Sequence, residues 1–189
     1  MTQKIVALDQ LNRILIQRAD RLGDVVLSLP VIESVKKNAP DIKIDVLTSP
    51  LGAKFLDGHP LIDTIHVVDT NDPRVHAKIA ELIPVLKQAD YDAYIALWNH
   101  PQLARLGKQV GIPIRVGDKT NVLLRSCYTH AVRQSWTDFT AHQIEFNLQL
   151  LTPFLRHDQS IYRHVYPQKK LVTRMRSVLK KALGKGASL

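Results

Sequence analysis

Short apolar runs alternate with segments of helical period along most of the chain, and this alternation leaves few folds open. Residues 13–17 (RILIQ) read as a buried strand. Leu22, Val25, Leu29, Ile32 and Val35 then fall at spacings of three and four, on one helical face. Pro30 interrupts that face and would leave the Val26 carbonyl without its helical donor, so the helix is expected to kink or to restart near Ser28. Asn38-Ala39-Pro40-Asp41 ends it. Residues 42–48 (IKIDVLT) read as a second strand, 49–52 (SPLG) as a turn, 53–56 as a short helical piece and 62–68 (IDTIHVV) as a third strand. Val75–Gln88 reads as a helix with Asp72 as its N-cap and Pro73 in the first turn, its end left open by Pro84. A fourth strand is expected at 92–97, a helix at Pro101–Val110 and a fifth strand at 112–116. Residues 117–139 have weak periodicity and read mostly as loop. Residues 141–155 read as a helix with Ile144, Leu148 and Leu151 on one face. Strands alternating with helices predict an α/β fold, a Rossmann-like parallel sheet with flanking helices.

Length and charge set the domain plan. A chain of 189 residues holds one domain with a real core and little more. Residues 1–12 read as an N-terminal arm, 13–155 as the Rossmann-like domain and 156–189 as a basic segment. The net charge of +9 is concentrated in that last segment. Residues 1–155 carry 17 Lys/Arg and 16 Asp/Glu, whereas 156–189 carry 9 Lys/Arg and Asp158. Leu171, Val172, Met175, Val178, Leu179, Ala182 and Leu183 line one side of a helix, with lysines and arginines over most of the rest. This tail has three open readings: a connecting helix, a helix resting on an anionic inner membrane leaflet, or a non-specific nucleic-acid contact, the last the least favoured. Cys127, the only cysteine, permits no intrachain disulfide and suits a reducing compartment as a buried small hydrophobe. No secretory or membrane-spanning pattern is present, so a cytoplasmic location is expected, peripheral at most.

The segment 18–30 (RADRLGDVVLSLP) places charge where the first strand hands over to the first helix. Ligands of parallel sheets bind beyond the carboxyl ends of the strands. Gly23 leaves room for close approach, and Asp24 in a first helical turn is favoured as carboxylate. An ionised carboxylate there can accept a proton from an attacking hydroxyl. Asp20 or Asp24 acting only as a helix cap is the competing reading.

The same stretch, continued as 18–50 (RADRLGDVVLSLPVIESVKKNAPDIKIDVLTSP), resembles the opening of the heptosyltransferase family of lipopolysaccharide core biosynthesis, glycosyltransferase family 9. HPLIDTIHVVD, YDAYIAL, GIPIRVG and HQIEFNLQLL are similar to later segments of that family's N-terminal half, in the same order, over about residues 12–155. The resemblance implies a GT-B glycosyltransferase, of which this would be the acceptor-side domain, with Asp24 as catalytic base. It implies attack on ADP-heptose with inversion, a nucleotide-sugar donor as substrate rather than any cofactor, and a lipopolysaccharide core or lipid A-type acceptor. Arg18, Arg21 and Gly23 would meet the acceptor at this loop, with Arg105, Arg115 and Lys119 adding positive charge. For Arg18 and Arg21, pairing with Asp20 or lying in solvent is an equal alternative. The family's donor half has no counterpart in the 34 residues after Leu155, which leaves open a truncated product, a fragment, or half of a split enzyme partnered by a separate donor-domain chain; low activity alone is expected. A second class stays open: a non-catalytic binding or interaction module with a basic membrane- or partner-binding helix.

Other side chains argue against competing chemistries. The eight histidines have no HExxH or HxxxH spacing, so no metal is expected. His142 and Glu145 read as a local pair, and Ser28 lacks the context of a triad nucleophile. Trp98 follows the fourth strand and reads as a half-buried aromatic at the cleft edge.

Overall fold

The computed structural model describes residues 6–134 and 142–155. Six strands form one parallel sheet: β1 (Arg13–Arg18), β2 (Lys43–Thr48), β3 (Thr64–Val67), β4 (Ala93–Ala96), β5 (Ile114–Asp118) and β6 (His130–Val132). Their order is β3-β2-β1-β4-β5-β6. The helices are α1 (Leu22–Val26), α2 (Leu29–Asn38), α3 (Pro50–Leu56), α4 (Val75–Gln88), α5 (Pro101–Val110) and α6 (Gln143–Gln149). Ile14 lies level with Ile44 of β2 and Ala93 of β4, and Ala93 with Ile114 of β5, so the four central strands start within one residue of one another.

Alternation along β1 divides the core in two. Ile14 and Ile16 face one layer with Ile44, Val46, Ile95, Val116 and the apolar faces of α1 and α2. Leu15 faces the other with Leu47, Tyr94 and residues of α4 and α5. Such two-sided burial is what a parallel sheet demands. Packing is close where α5 crosses β4. A Cβ on Gly107 would lie 2.5 Å from the Tyr94 ring. The fully buried Tyr94 hydroxyl donates to the Leu103 carbonyl at 2.8 Å.

At the amino ends of the strands, buried Asp45 accepts hydrogen bonds from Tyr91 (2.6 Å) and the Arg13 guanidinium (3.0 Å). His66 Nε2 lies 3.0 Å from the Tyr91 hydroxyl and 3.7 Å from the carboxylate. Burial alone would push the Asp45 carboxyl up, but hydrogen bonds from His66, Tyr91 and Arg13 outweigh it and hold it below the usual carboxylate range. Asp92 closes the same end by accepting from the backbone N–H groups of Asn12 and Arg13.

The elements match the expected ones in type, with shifted boundaries. The first helix does break, α1 ending at Val26 and α2 starting at Leu29 with Pro30 in its first turn, where the missing donor is harmless. The expected turn at 49–52 instead starts α3: Ser49 Oγ accepts from the Gly52 N–H and Pro50 takes the first helical position. Arg74, not Asp72, is the N-cap of α4; Asp72 sits two residues earlier and accepts the Arg74 N–H at 2.7 Å. Helix α4 runs through Pro84, with Ala80 and Pro84 both exposed, so water can take the carbonyl that Pro84 leaves unpaired. The fifth strand lies two residues later than expected, and residues 117–139 hold a 3-10 turn (Arg125–Cys127) and β6, missed because three residues carry no measurable period. Helix α6 is half the expected length, and 150–155 continue as turns past Pro153. His142 caps α6 through Nδ1 to the Ile144 N–H rather than pairing with Glu145. Residues 6–12, expected as an arm, pack back on the domain: Leu8 is buried and the Val6 N–H donates to the Pro153 carbonyl. Cys127 is buried and free. The basic tail lies outside the described residues.

Two outcomes test this packing. Gly107→Ala is expected to lower the unfolding free energy by about 1–3 kcal/mol, because Tyr94 must leave its rotamer, as read by denaturant melts. The depressed Asp45 carboxyl stabilises the fold above its unfolded pKa of about 4, and that stability is lost as pH falls through the lower folded value. Asp45→Asn is therefore expected to cost stability at neutral pH and to flatten the acid limb of a pH–stability curve.

Candidate functional site

Four strand ends meet at the reversal of strand order, where β1 neighbours β4, and the crevice of an open α/β sheet lies at such a point. A cavity of about 550 Å³ opens there. It is lined by Ala19–Leu22 after β1, Ser49–Leu51 after β2, Asp69–Asn71 after β3 and Trp98 after β4. Trp98 is half-buried and packs against His100 at 4.7 Å between ring centroids.

Arg18 organises the rim. It is the last residue of β1, and its side chain is only 6% exposed. Its Nε donates to Asp20 (2.9 Å), one terminal nitrogen to the Leu97 carbonyl (2.6 Å), and the other pairs with Asp24 (3.0 Å). One guanidinium thus joins β1, β4 and the first turn of α1. The Asp24 side chain keeps 29% exposure, so it is held yet reachable; it follows the cavity-lining stretch Ala19–Leu22 and does not itself line the cavity. Burial pushes the Asp20 carboxyl up, and Asp24 adds to the rise, against the lowering pull of Arg18. The structure therefore shows Arg18 as an internal partner of both carboxylates, and neither carboxylate gives a side-chain cap to α1.

The other expected site residues divide. Arg21 is exposed and lines the cavity. Gly23 is open, with nothing within 4 Å of a built Cβ. Arg105 is exposed on α5 and donates to the Pro101 carbonyl of its own helix. Arg115 lies level with Tyr94 and Leu15, at the amino end of the sheet away from the cavity. Its guanidinium donates to the carbonyls of Cys127, Ile112 and Pro113. Lys119 follows the carboxyl end of β5 and does not line the cavity. Ser49, Asp69, Thr70 and Asn71 do line it; the strand-end rule, applied to β2 and β3 as well as β1, points to them. Among the described residues, no group of three His, Cys, Asp or Glu converges as a metal site.

Removing the Arg18 charge is expected to be severe. Arg18→Gln leaves two carboxylates close together without their cation, and about 3–5 kcal/mol of stability should be lost. Arg21→Gln at the exposed rim should change stability by less than about 0.5 kcal/mol. Thermal melts of the two variants check the contrast.

Comparison with known proteins places the fold and the family. No family model matches the chain. A lipopolysaccharide heptosyltransferase 3 of Escherichia coli is 30% identical over 138 residues, which is 69% of this chain and 39% of that protein. A glycosyl transferase family 9 structure from Veillonella parvula DSM 2008 superposes with a TM-score of 0.78 at 22% identity, over 98% of this chain and 53% of that one. Escherichia coli heptosyltransferase WaaC with ADP-2-deoxy-2-fluoro heptose superposes with a TM-score of 0.67 at 17% identity, over 81% and 52%. The chain thus spans about half the length of the solved relatives and less of the curated one. Over these residues, it belongs to the heptosyltransferase family of glycosyltransferases, family 9, whose fold is GT-B.

Proposed function

We propose that this chain is the acceptor-binding side of an inverting glycosyltransferase that extends the lipopolysaccharide inner core on the cytoplasmic side of the membrane. The observation that carries the reading is Asp24: a reachable carboxylate at the carboxyl end of β1, fixed 3.0 Å from a buried guanidinium. In this reading the acceptor sugar lies in the cavity at the β1/β4 reversal. Asp24 takes the proton from its hydroxyl as that oxygen bonds to the anomeric carbon of the donor. The nucleoside diphosphate leaves from the opposite face with the bonding electrons, which inverts the centre. A solved relative bound to an ADP-sugar supports ADP-heptose as donor class. The donor is a substrate, and no cofactor is invoked.

Arg18 acts here as a positioning residue, since its donors are taken up by Asp20, Asp24 and Leu97. Arg21, exposed and lining the cavity, is the arginine placed to meet anionic groups of the acceptor. Arg105 and Arg115, tied to backbone carbonyls, are not assigned to it. The donor site belongs to residues outside the matched half, on this polypeptide or on a separate chain.

The test uses an assembly that supplies a donor half. Asp24→Ala is expected to lower transfer by about 10²–10⁴-fold with folding retained. Transfer at the wild-type rate would refute the base assignment. Failure of every assembly to transfer, with acceptor binding intact, would favour the non-catalytic module.

A further inference from the structure

We infer that the loop joining β5 to the 3-10 turn at 125–127 is an insertion tip for an anionic lipid surface. Val122 and Leu123 are adjacent and 79% and 82% exposed. Other large exposed apolar residues among those described, Leu51, Val67 and Val85, are scattered singly and less bare. Single exposed hydrophobes are ordinary, whereas a contiguous bare pair calls for a partner.

The tip is built rather than loose. The Asn121 side chain accepts the Leu123 N–H at 3.1 Å, and the Asn121 carbonyl accepts the N–H groups of Leu124 and Arg125, both at 3.1 Å. Leu124 is buried among core residues, so it anchors the turn while Val122 and Leu123 point away from the core. Below the tip, Thr120 is tied to the Asp118 carboxylate by its N–H and its hydroxyl.

Charge selects the occupant. Asp118 is the only acid between Arg115 and Gln134, and it is buried. Lys119 is half-exposed, and Arg125 and Arg133 are exposed. The Lys119 N–H donates to the Val132 carbonyl at 2.8 Å, which brings Arg133 beside Lys119. Two bare apolar side chains on a segment that carries Lys119, Arg125 and Arg133, with no exposed acid among described residues 115–134, match an interface of acyl chains beneath anionic headgroups. An interdomain surface buries about 600–1,500 Å² and needs a broad patch, which this two-residue projection does not provide. No helix among the described residues is long and apolar enough to cross a membrane. The inference stands apart from the assignment of Asp24.

Sedimentation of the whole 189-residue chain with vesicles tests it. Binding is expected to vesicles containing a quarter phosphatidylglycerol, weakly or not at all to phosphatidylcholine alone, and to fall as salt is raised. Val122→Ser/Leu123→Ser should weaken partitioning on the order of tenfold or more with the melting temperature unchanged. Leu123→Trp should show a blue-shifted emission on those vesicles. Equal binding by the double-serine variant would overturn the proposal and leave the basic tail as the membrane contact. Absence of binding by the wild-type chain would also overturn it, as would loss of self-association, rather than of vesicle binding, in the double variant.

Discussion

β1 lies between β2 and β4 with both faces covered, and the rest of the molecule is arranged around that double burial. β1 has no wet face, and its two charged residues sit at its ends. Arg13 and Arg18 occupy those ends, and each is met by carboxylates. The two ends differ in how completely the charge is closed. At the amino end, Asp45 is fully buried with Arg13, Tyr91 and His66 around it. At the carboxyl end, Arg18 leaves Asp24 partly in solvent, and Asp20, its other carboxylate, lines a cavity. The same chemistry, a guanidinium facing carboxylates, serves as closure at one end and as an open site at the other.

Strand order reinforces the difference. Successive crossovers carry the chain outward from β1 through β2 to β3, and then return it to β4 on the other side. Loops on the two sides of β1 therefore diverge and leave the crevice between them. Residues from four separate segments line it, although they are far apart in the chain.

Much of this was legible in the sequence, for identifiable reasons. Helices α4 and α5 have long apolar periods and proline-marked starts, and their expected and observed ranges coincide. The break between α1 and α2 followed from what proline does to a helix. β6 escaped because it is three residues long and is defined by its pairing with β5, which only the tertiary fold supplies. At the site, strand-end reasoning located the loop 18–24. It did not separate Arg18 from Arg21, because neighbouring arginines look alike until one side chain is seen to be buried. Arg115 was misleading for a related reason: its strand begins two residues later than its pattern suggests, which puts it at the wrong end of the sheet.

The hydrogen bond from Arg18 to Leu97 spans 79 residues of chain. Until β4 is made, the carbonyl that receives this guanidinium does not exist, and β1 lacks its second neighbour. Translation at about 5–20 residues per second separates the two partners by roughly 4–16 s. During that interval β1 can pair with β2, and β2 with β3, while the other edge of β1 stays open. Completion of the rim, and with it the placement of Asp24, therefore waits on the arrival of one backbone oxygen.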